Sequence, residues 1–374
     1  MKIKEILQEA NDRLQSPYDY IKSNSVPGAQ YFGFNCIYAP EEILHAAGFV
    51  PVRLFGYFEG ISGAEKYIPE HCCDFVKNMI AAFDSKIFDF FKSALFAFCC
   101  DTMQVAASIV SQRFDLNVFF INIPTRLYSD PSGKYLIEVL SVLKNEIEKK
   151  FKISIDDNAL NKSLKIYREN DRLMLKLKNC YADNPGLISG SDYIALMHTV
   201  FFMPREEHNL LLNKFFHAAF LENAYQNRSK HAKKIIVAGF FQNNIRLLKQ
   251  IESLGAIIVD DDLCEASRYL AVKTEINDNP LHGIADRIMS KFCPVKYKEG
   301  LDFADILIEK QKKTSAHGII IFLPRYCEPQ YMEYIATRYK LEKASVRFMA
   351  METVGNEDKS LQAETRIEAF IENI

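Results

Sequence analysis

The sequence contains no tryptophan and no C-x-x-C pair. The second absence removes zinc ribbons, thioredoxin-like redox sites and the usual ferredoxin run. No G-x-G-x-x-G follows a predicted strand, which argues against a dinucleotide fold of the common kind. No G-x-x-x-x-G-K-[ST] is present, so the chain is not expected to hydrolyse ATP itself. G-x-S-x-G and H-E-x-x-H are missing too. No uninterrupted apolar run reaches about 18 residues, so no membrane span is expected. The start, Met1 to Ile6, soon turns acidic and amphipathic and lacks the apolar core of a secretion signal, so the chain reads as cytoplasmic. A net charge of −2 gives no electrostatic case for a nucleic-acid partner.

What the sequence does have is nine cysteines, two pairs of them vicinal: Cys72-Cys73 and Cys99-Cys100. In a chain read as intracellular these are expected to be reduced, either buried or bound to metal. In place of tryptophan, 28 Phe and 18 Tyr supply the large core pieces.

Periodicity predicts an α/β protein. Ile3, Ile6, Leu7, Ala10 and Leu14 mark one apolar helix face. Pro40 to Gly48 reads as a short helix opened by proline and two acids. Apolar runs at Val50–Phe55, Leu95–Phe98 and Val118–Ile121 read as strands, and helices are expected from about Thr102 and over Leu136–Ile147. Residues 154–230 carry helical spacing and little β-branched clustering, and read as a helical connector. A second series follows: strands at 234–239, 256–259, 318–323 and 346–351, with helices at 246–253 and 365–372. Strands alternating with helices predict parallel sheets. The fold expected is therefore two doubly wound, Rossmann-like domains, 1–153 and 231–374, joined by the helical connector.

Three cysteines share a local pattern. Cys73, Cys100 and Cys327 each follow a predicted strand or loop, precede an acid, and open an amphipathic helix. Unpaired N–H groups and the positive end of the helix dipole favour a thiolate there. Cys100 and Cys327 also lie past the carboxyl ends of apolar strands, where open α/β sheets place ligands. A site shared by all three needs both halves of the chain, and three convergent thiolates suit a soft metal or an iron–sulfur cluster. His45 reads as a structural histidine.

At these residues the sequence resembles the 2-hydroxyacyl-CoA dehydratase and benzoyl-CoA reductase family of iron–sulfur subunits. The resemblance rests on the run Gly33 to Gly48 with Pro51-Val52-Arg53-Leu54, then the Cys73 segment and Cys100-Asp101. It continues through Ile188-Ser189-Gly190-Ser191-Asp192, Asp260 to Cys264, Ser267-Arg268-Tyr269 and Tyr326-Cys327-Glu328-Pro329, and ends on Glu352-Thr353 and Thr365 to Glu372. It implies a [4Fe–4S] cluster held by Cys73, Cys100 and Cys327, an acyl-CoA substrate, and a homologous partner subunit or a second copy of the chain. It also implies a separate ATP-dependent activator protein that supplies a low-potential electron, which agrees with the missing P-loop. In the dehydratases that electron makes a ketyl radical anion that expels the 2-hydroxyl.

The doubled cysteines keep the register open. A double-cubane [8Fe–9S] cluster, known in relatives, would draw on Cys72, Cys99 and Cys293 besides the first three; Cys36, Cys180 and Cys264 read as structural. A homodimeric double-cubane reductase of a small molecule and a cluster-free binding homologue are the competing functions. The catalytic residues are not assigned. Ser189 and Ser191 are polar candidates whose plainer reading is a turn before a helix.

Overall fold

A computed structural model describes residues 2–24, 28–55, 62–127, 129–184, 187–221, 232–240, 245–271, 279–298, 302–353 and 360–374. The expected apolar runs pair in parallel, in two four-stranded sheets. The first sheet contains β1 (Tyr31–Phe34), β2 (Val50–Arg53), β3 (Ser93–Phe98) and β4 (Asn117–Asn122), in the order β2-β1-β3-β4. A two-residue strand, β5 (Arg126–Leu127), follows. The second sheet contains β6 (Lys233–Gly239), β7 (Ala256–Leu263), β9 (Gly318–Pro324) and β10 (Phe348–Thr353), in the order β10-β9-β6-β7. The short β8 (Tyr297–Lys298) pairs with β5, so one small parallel ladder joins residues of the two halves.

The residues explain the elements. β9 is buried along its whole length, as its unbroken Ile-Ile-Ile-Phe-Leu run requires of a central parallel strand. β1 is four residues long and contains Gly33, which leaves it without a readable apolar pattern. A Cβ there would lie 2.8 Å from Leu54 Cδ2, so glycine is what lets that side chain close over the sheet. β7 runs on through three aspartates, past Val259 where the apolar pattern ends, because each acid has a partner. Asp260 meets Lys310 Nζ at 3.3 Å, Asp261 accepts from Tyr193 Oη at 2.9 Å, and Asp262 accepts from Arg268 Nε at 2.6 Å.

Helices Asp157–Asp183, Gly190–His198 and Arg205–Leu221 make up the connector as far as it is described; 222–231 lie outside the described residues. The opening helix Ile3–Gln15, expected to belong with the first half, packs against the last two of these. Among the described residues, no helix is long and apolar enough to cross a membrane.

A buried charge network fastens the three regions together. Glu41 and Glu42 open the helix Glu41–Ala46 and are fully buried. Glu41 accepts from Arg205 of the connector and, at 2.8 Å, from Tyr269 Oη of the second half. Glu42 pairs at 3.1 Å with Arg287, on the helix Pro280–Ser290. Arg287 also grips Asp171 of the connector through two bonds of 2.8 and 3.0 Å. Lys291 donates to the carbonyl of Ile37 at 2.6 Å. Tyr167 and Tyr269 lie under these cations, with Arg205 4.6 Å from the Tyr167 ring centre and Lys291 4.4 Å from that of Tyr269. Beside the network, His208 accepts at Nδ1 from Asn170 and donates at Nε2 to the Leu196 carbonyl, which fixes a neutral ring.

Two outcomes follow from this packing. Arg287→Ala strands buried carboxylates and is expected to cost about 3–5 kcal/mol, read as a lower urea midpoint. Burial lowers the pKa of His208 from 6.5 to about 3. The unfolded chain therefore binds the extra proton between those values, and stability falls as pH drops from 6.5 towards 3. Relative to His208→Gln, the native chain should lose about 2 kcal/mol on going from pH 7 to pH 5, and parallel pH profiles would refute the assignment.

Candidate thiol site at the strand ends

In a sheet ordered β2-β1-β3-β4 the chain leaves β1 to one side for β2 and returns on the other for β3. The gap beyond the carboxyl ends of β1 and β3 is the switch point where such sheets bind ligands. Asn35 follows β1 and splices the two strands, donating to the Ala97 carbonyl at 3.1 Å and accepting from the Ala97 amide at 2.8 Å. Cys36 comes next on one side, and Cys99 and Cys100 follow β3 on the other. The second sheet has its switch point between β6 and β9. The turn after β9 passes through Tyr326, whose φ is +59°, to Cys327.

Cys73, Cys100 and Cys327 are the N-cap residues of the helices Asp74–Asp84, Asp101–Arg113 and Glu328–Lys343, as the sequence pattern requires. The amide of Asp74 donates to the Arg325 carbonyl at 3.1 Å, so the Cys73 helix is tied to the turn that carries Cys327. The Cys73 and Cys327 thiols lie close enough to shift each other's ionisation, and Cys100 lies within electrostatic reach of both. Cys73 lines a cleft of about 540 Å³ together with His71, Cys72, Tyr331, Glu352 and the two neighbours of Cys327 in sequence, Tyr326 and Glu328. Thr102, in the first turn after Cys100, lines it as well.

The thiols do not ionise alike. Contact with Cys327 lowers the pKa of Cys73, against burial and with help from the Val76 and Phe75 amides. Contact with Cys73, together with burial, raises the pKa of Cys327 well above the usual value. Cys73 and Cys327 therefore titrate as a pair, not as two independent thiols. Cys100 is lowered in the same way by Cys99, against burial and with help from the Met103 amide. Cys99 is raised by its bonds to Cys100 and Cys36.

Of the remaining cysteines, Cys72 lines the cleft, and burial together with its neighbour Cys73 raises its pKa. Cys36, expected to be structural, is hydrogen-bonded to Cys99. Its sequence signal is the one that marks Cys100, a cysteine just past a strand end, but β1 is too short to read. Cys293 is buried near Cys264, Arg268 and Cys36, and burial pushes its pKa up to about 12. Cys180 stands apart, on the helix Asp157–Asp183. Two cations serve this region. Arg53 donates to Cys264 Sγ at 3.1 Å and lies 4.5 Å from the Phe55 ring centre, and Lys296 donates to the carbonyls of Ile123 and Phe98 at 2.8 and 3.2 Å.

Ser189 caps the helix Gly190–His198 by accepting from the Asp192 amide, and Ser191 donates to Glu252 at 2.6 Å, so both serve the helix start. His45 has both ring nitrogens engaged, with Ser163 and Glu206, each at 3.0 Å. Among the described residues, no three His, Cys, Asp or Glu side chains are arranged to hold a single metal ion.

Gly239 ends β6 at the second switch point with φ +98°, and a Cβ there would stand 2.0 Å from the Phe322 carbonyl oxygen. Gly239→Ala must push β6 and β9 apart below Cys327. It should cost about 3 kcal/mol or more, seen as a lower urea midpoint, and a midpoint near that of the native chain would show the two strand ends to be slack.

The family model for the 2-hydroxyglutaryl-CoA dehydratase D-component matches residues 36–374. The chain is 24% identical over 369 residues, 97% of both chains, to the (R)-phenyllactyl-CoA dehydratase beta subunit of Clostridium sporogenes. It is 25% identical over 377 residues, 99% of both chains, to the lactoyl-CoA dehydratase subunit beta of Anaerotignum propionicum. To a subunit of the benzoyl-CoA reductase of Thauera aromatica it is 27% identical over 315 residues, 82% of this chain and 81% of that one. The helix-capping thiols and the two parallel sheets thus sit in a chain that belongs to the 2-hydroxyglutaryl-CoA dehydratase D-component family.

Proposed function

We propose that the chain is the iron–sulfur subunit of a 2-hydroxyacyl-CoA dehydratase-like enzyme, or of a related aroyl-CoA reductase. The observation that carries this reading is that Cys73, Cys100 and Cys327 cap three helices from both halves of the chain, with Cys73 and Cys327 in contact, Cys100 within electrostatic reach of both, and Cys73 on the cleft. The donor set suits a [4Fe–4S] cluster. All three ligands are soft thiols, and a multi-iron cluster spans ligands spread more widely than those of one ion. When bound, such a cluster supplies one-electron transfer at low potential.

The chain's own residues do the rest. Helix N-termini direct backbone amides and the positive ends of their dipoles at the sulfurs, which favours the anionic form. Arg53 and Lys296 add positive charge on the buried side. Tyr326, Tyr331 and Glu352 shape the open side of the cleft. Low-potential electrons come from a separate ATP-hydrolysing activator, and the reaction served is loss of water from a 2-hydroxyacyl-CoA. One observation favours a double cluster as the second reading. Cys99 touches Cys100 on one side and Cys36 on the other, so a second thiol group adjoins the first.

The test is an iron and acid-labile sulfide count per chain after anaerobic purification. About four of each supports the single cluster, about eight and nine the double, and about zero refutes both. Cys73→Ala, Cys100→Ala and Cys327→Ala should each lose most of the iron and the brown colour, whereas Cys180→Ala keeps them. Full iron in all three variants would overturn the ligand assignment.

A further inference from the structure

Lys291 and Lys296 stand on one short loop of the second half, and both are buried. The loop follows the helix Pro280–Ser290 and runs into β8, whose ladder to β5 fixes Lys296 from one side. The amide of Lys296 donates to the Cys293 carbonyl at 2.9 Å and fixes it from the other. Both side chains reach the carboxyl ends of the first sheet. Lys291 takes the Ile37 carbonyl, beyond β1. Lys296 bridges the carbonyls of Phe98, the last residue of β3, and Ile123, just past β4. Their surroundings differ. The ionisable groups that act most on Lys291 are Arg287, Glu41, Glu42 and Asp171, with no thiol among them. Those that act most on Lys296 are Cys36, Cys99, Cys293 and Cys100, with no carboxylate among them. Arg53, the other cation of this region, is drawn to Cys264, Cys36 and Glu265 instead.

We propose that Lys296 sets the reduction potential of the cluster at the thiols, as a positioning residue that holds one positive charge beside the Cys99-Cys100 step. This rests on the iron–sulfur reading above. The step concerned is transfer of one electron from a low-potential donor, with no bond made or broken. It adds one negative charge in a setting of low dielectric, and a fixed cation stabilises the reduced form more than the oxidised one. By bonding Phe98 and Ile123, the same side chain ties the exits of β3 and β4 together, so the charge and the sulfurs keep a fixed separation.

The test is the midpoint potential of the anaerobically purified full chain, followed by its visible and EPR spectra. Lys296→Met should make the cluster about tenfold harder to reduce by a given donor, a fall of about 59 mV for one electron. Lys296→Gln drops the charge but keeps an N–H donor, should match that fall, and serves where Lys296→Met loses its iron. Lys296→Arg keeps the charge and should stay within about threefold of the native value. Lys291→Met is the matched control, from the same loop with the same kind of bond, and should move the equilibrium by less than about twofold. An unchanged potential in the iron-loaded, uncharged Lys296 variants, or an equal fall in Lys291→Met, overturns the inference and leaves the iron reading standing. A native chain without iron overturns both.

Discussion

Five buried charges hold the three regions in one arrangement. Glu41, Glu42 and Asp171 face Arg205 and Arg287 across the meeting point of the first half, the connector and the second half. Cys327 is 227 residues beyond Cys100, so nothing local in the chain can bring them together. The network contributes little net stability, because desolvation offsets most of the attraction. Its effect is to make one arrangement of the three regions far better than its neighbours. Sliding any of them leaves a carboxylate or a guanidinium buried without its partner, an error apolar packing alone would penalise weakly.

At the thiols the same low-dielectric setting works through shared protons. Cys73 with Cys327, and Cys99 with Cys36 and Cys100, form groups in which the thiols shift one another's ionisation, one lowered as its neighbour is raised. A ligand that binds thiolates displaces those protons, so binding is coupled to pH. The helix starts lower that cost by aiming amides at each sulfur, and β1, β3, β6 and β9 bring the capping residues within reach of one another.

Much of this is legible in the residues. The strands Leu95–Phe98 and Gly318–Leu323, the three cysteine-capped helices and the helices described within 157–221 follow from apolar period and capping chemistry, and all are present. Three features are not legible. β1 is short and interrupted by Gly33, so Cys36 loses its context. β7 continues through Asp260, Asp261 and Asp262 because of partners such as Lys310 and Tyr193, 50 and 68 residues away in sequence, which no local pattern reveals. The unequal ionisation of Cys327 depends on which thiol it touches, a property of the assembled fold alone.

The spread of the thiols along the chain also sets an order in time. Cys73 and Cys100 emerge during synthesis long before Cys327, and the first sheet can close around Asn35 while the second is still unmade. Until the second sheet folds and the turn at Tyr326 swings its cysteine onto Cys73, the early thiols have only one another for company. A site that needs Cys327 is therefore complete only once the second sheet has folded.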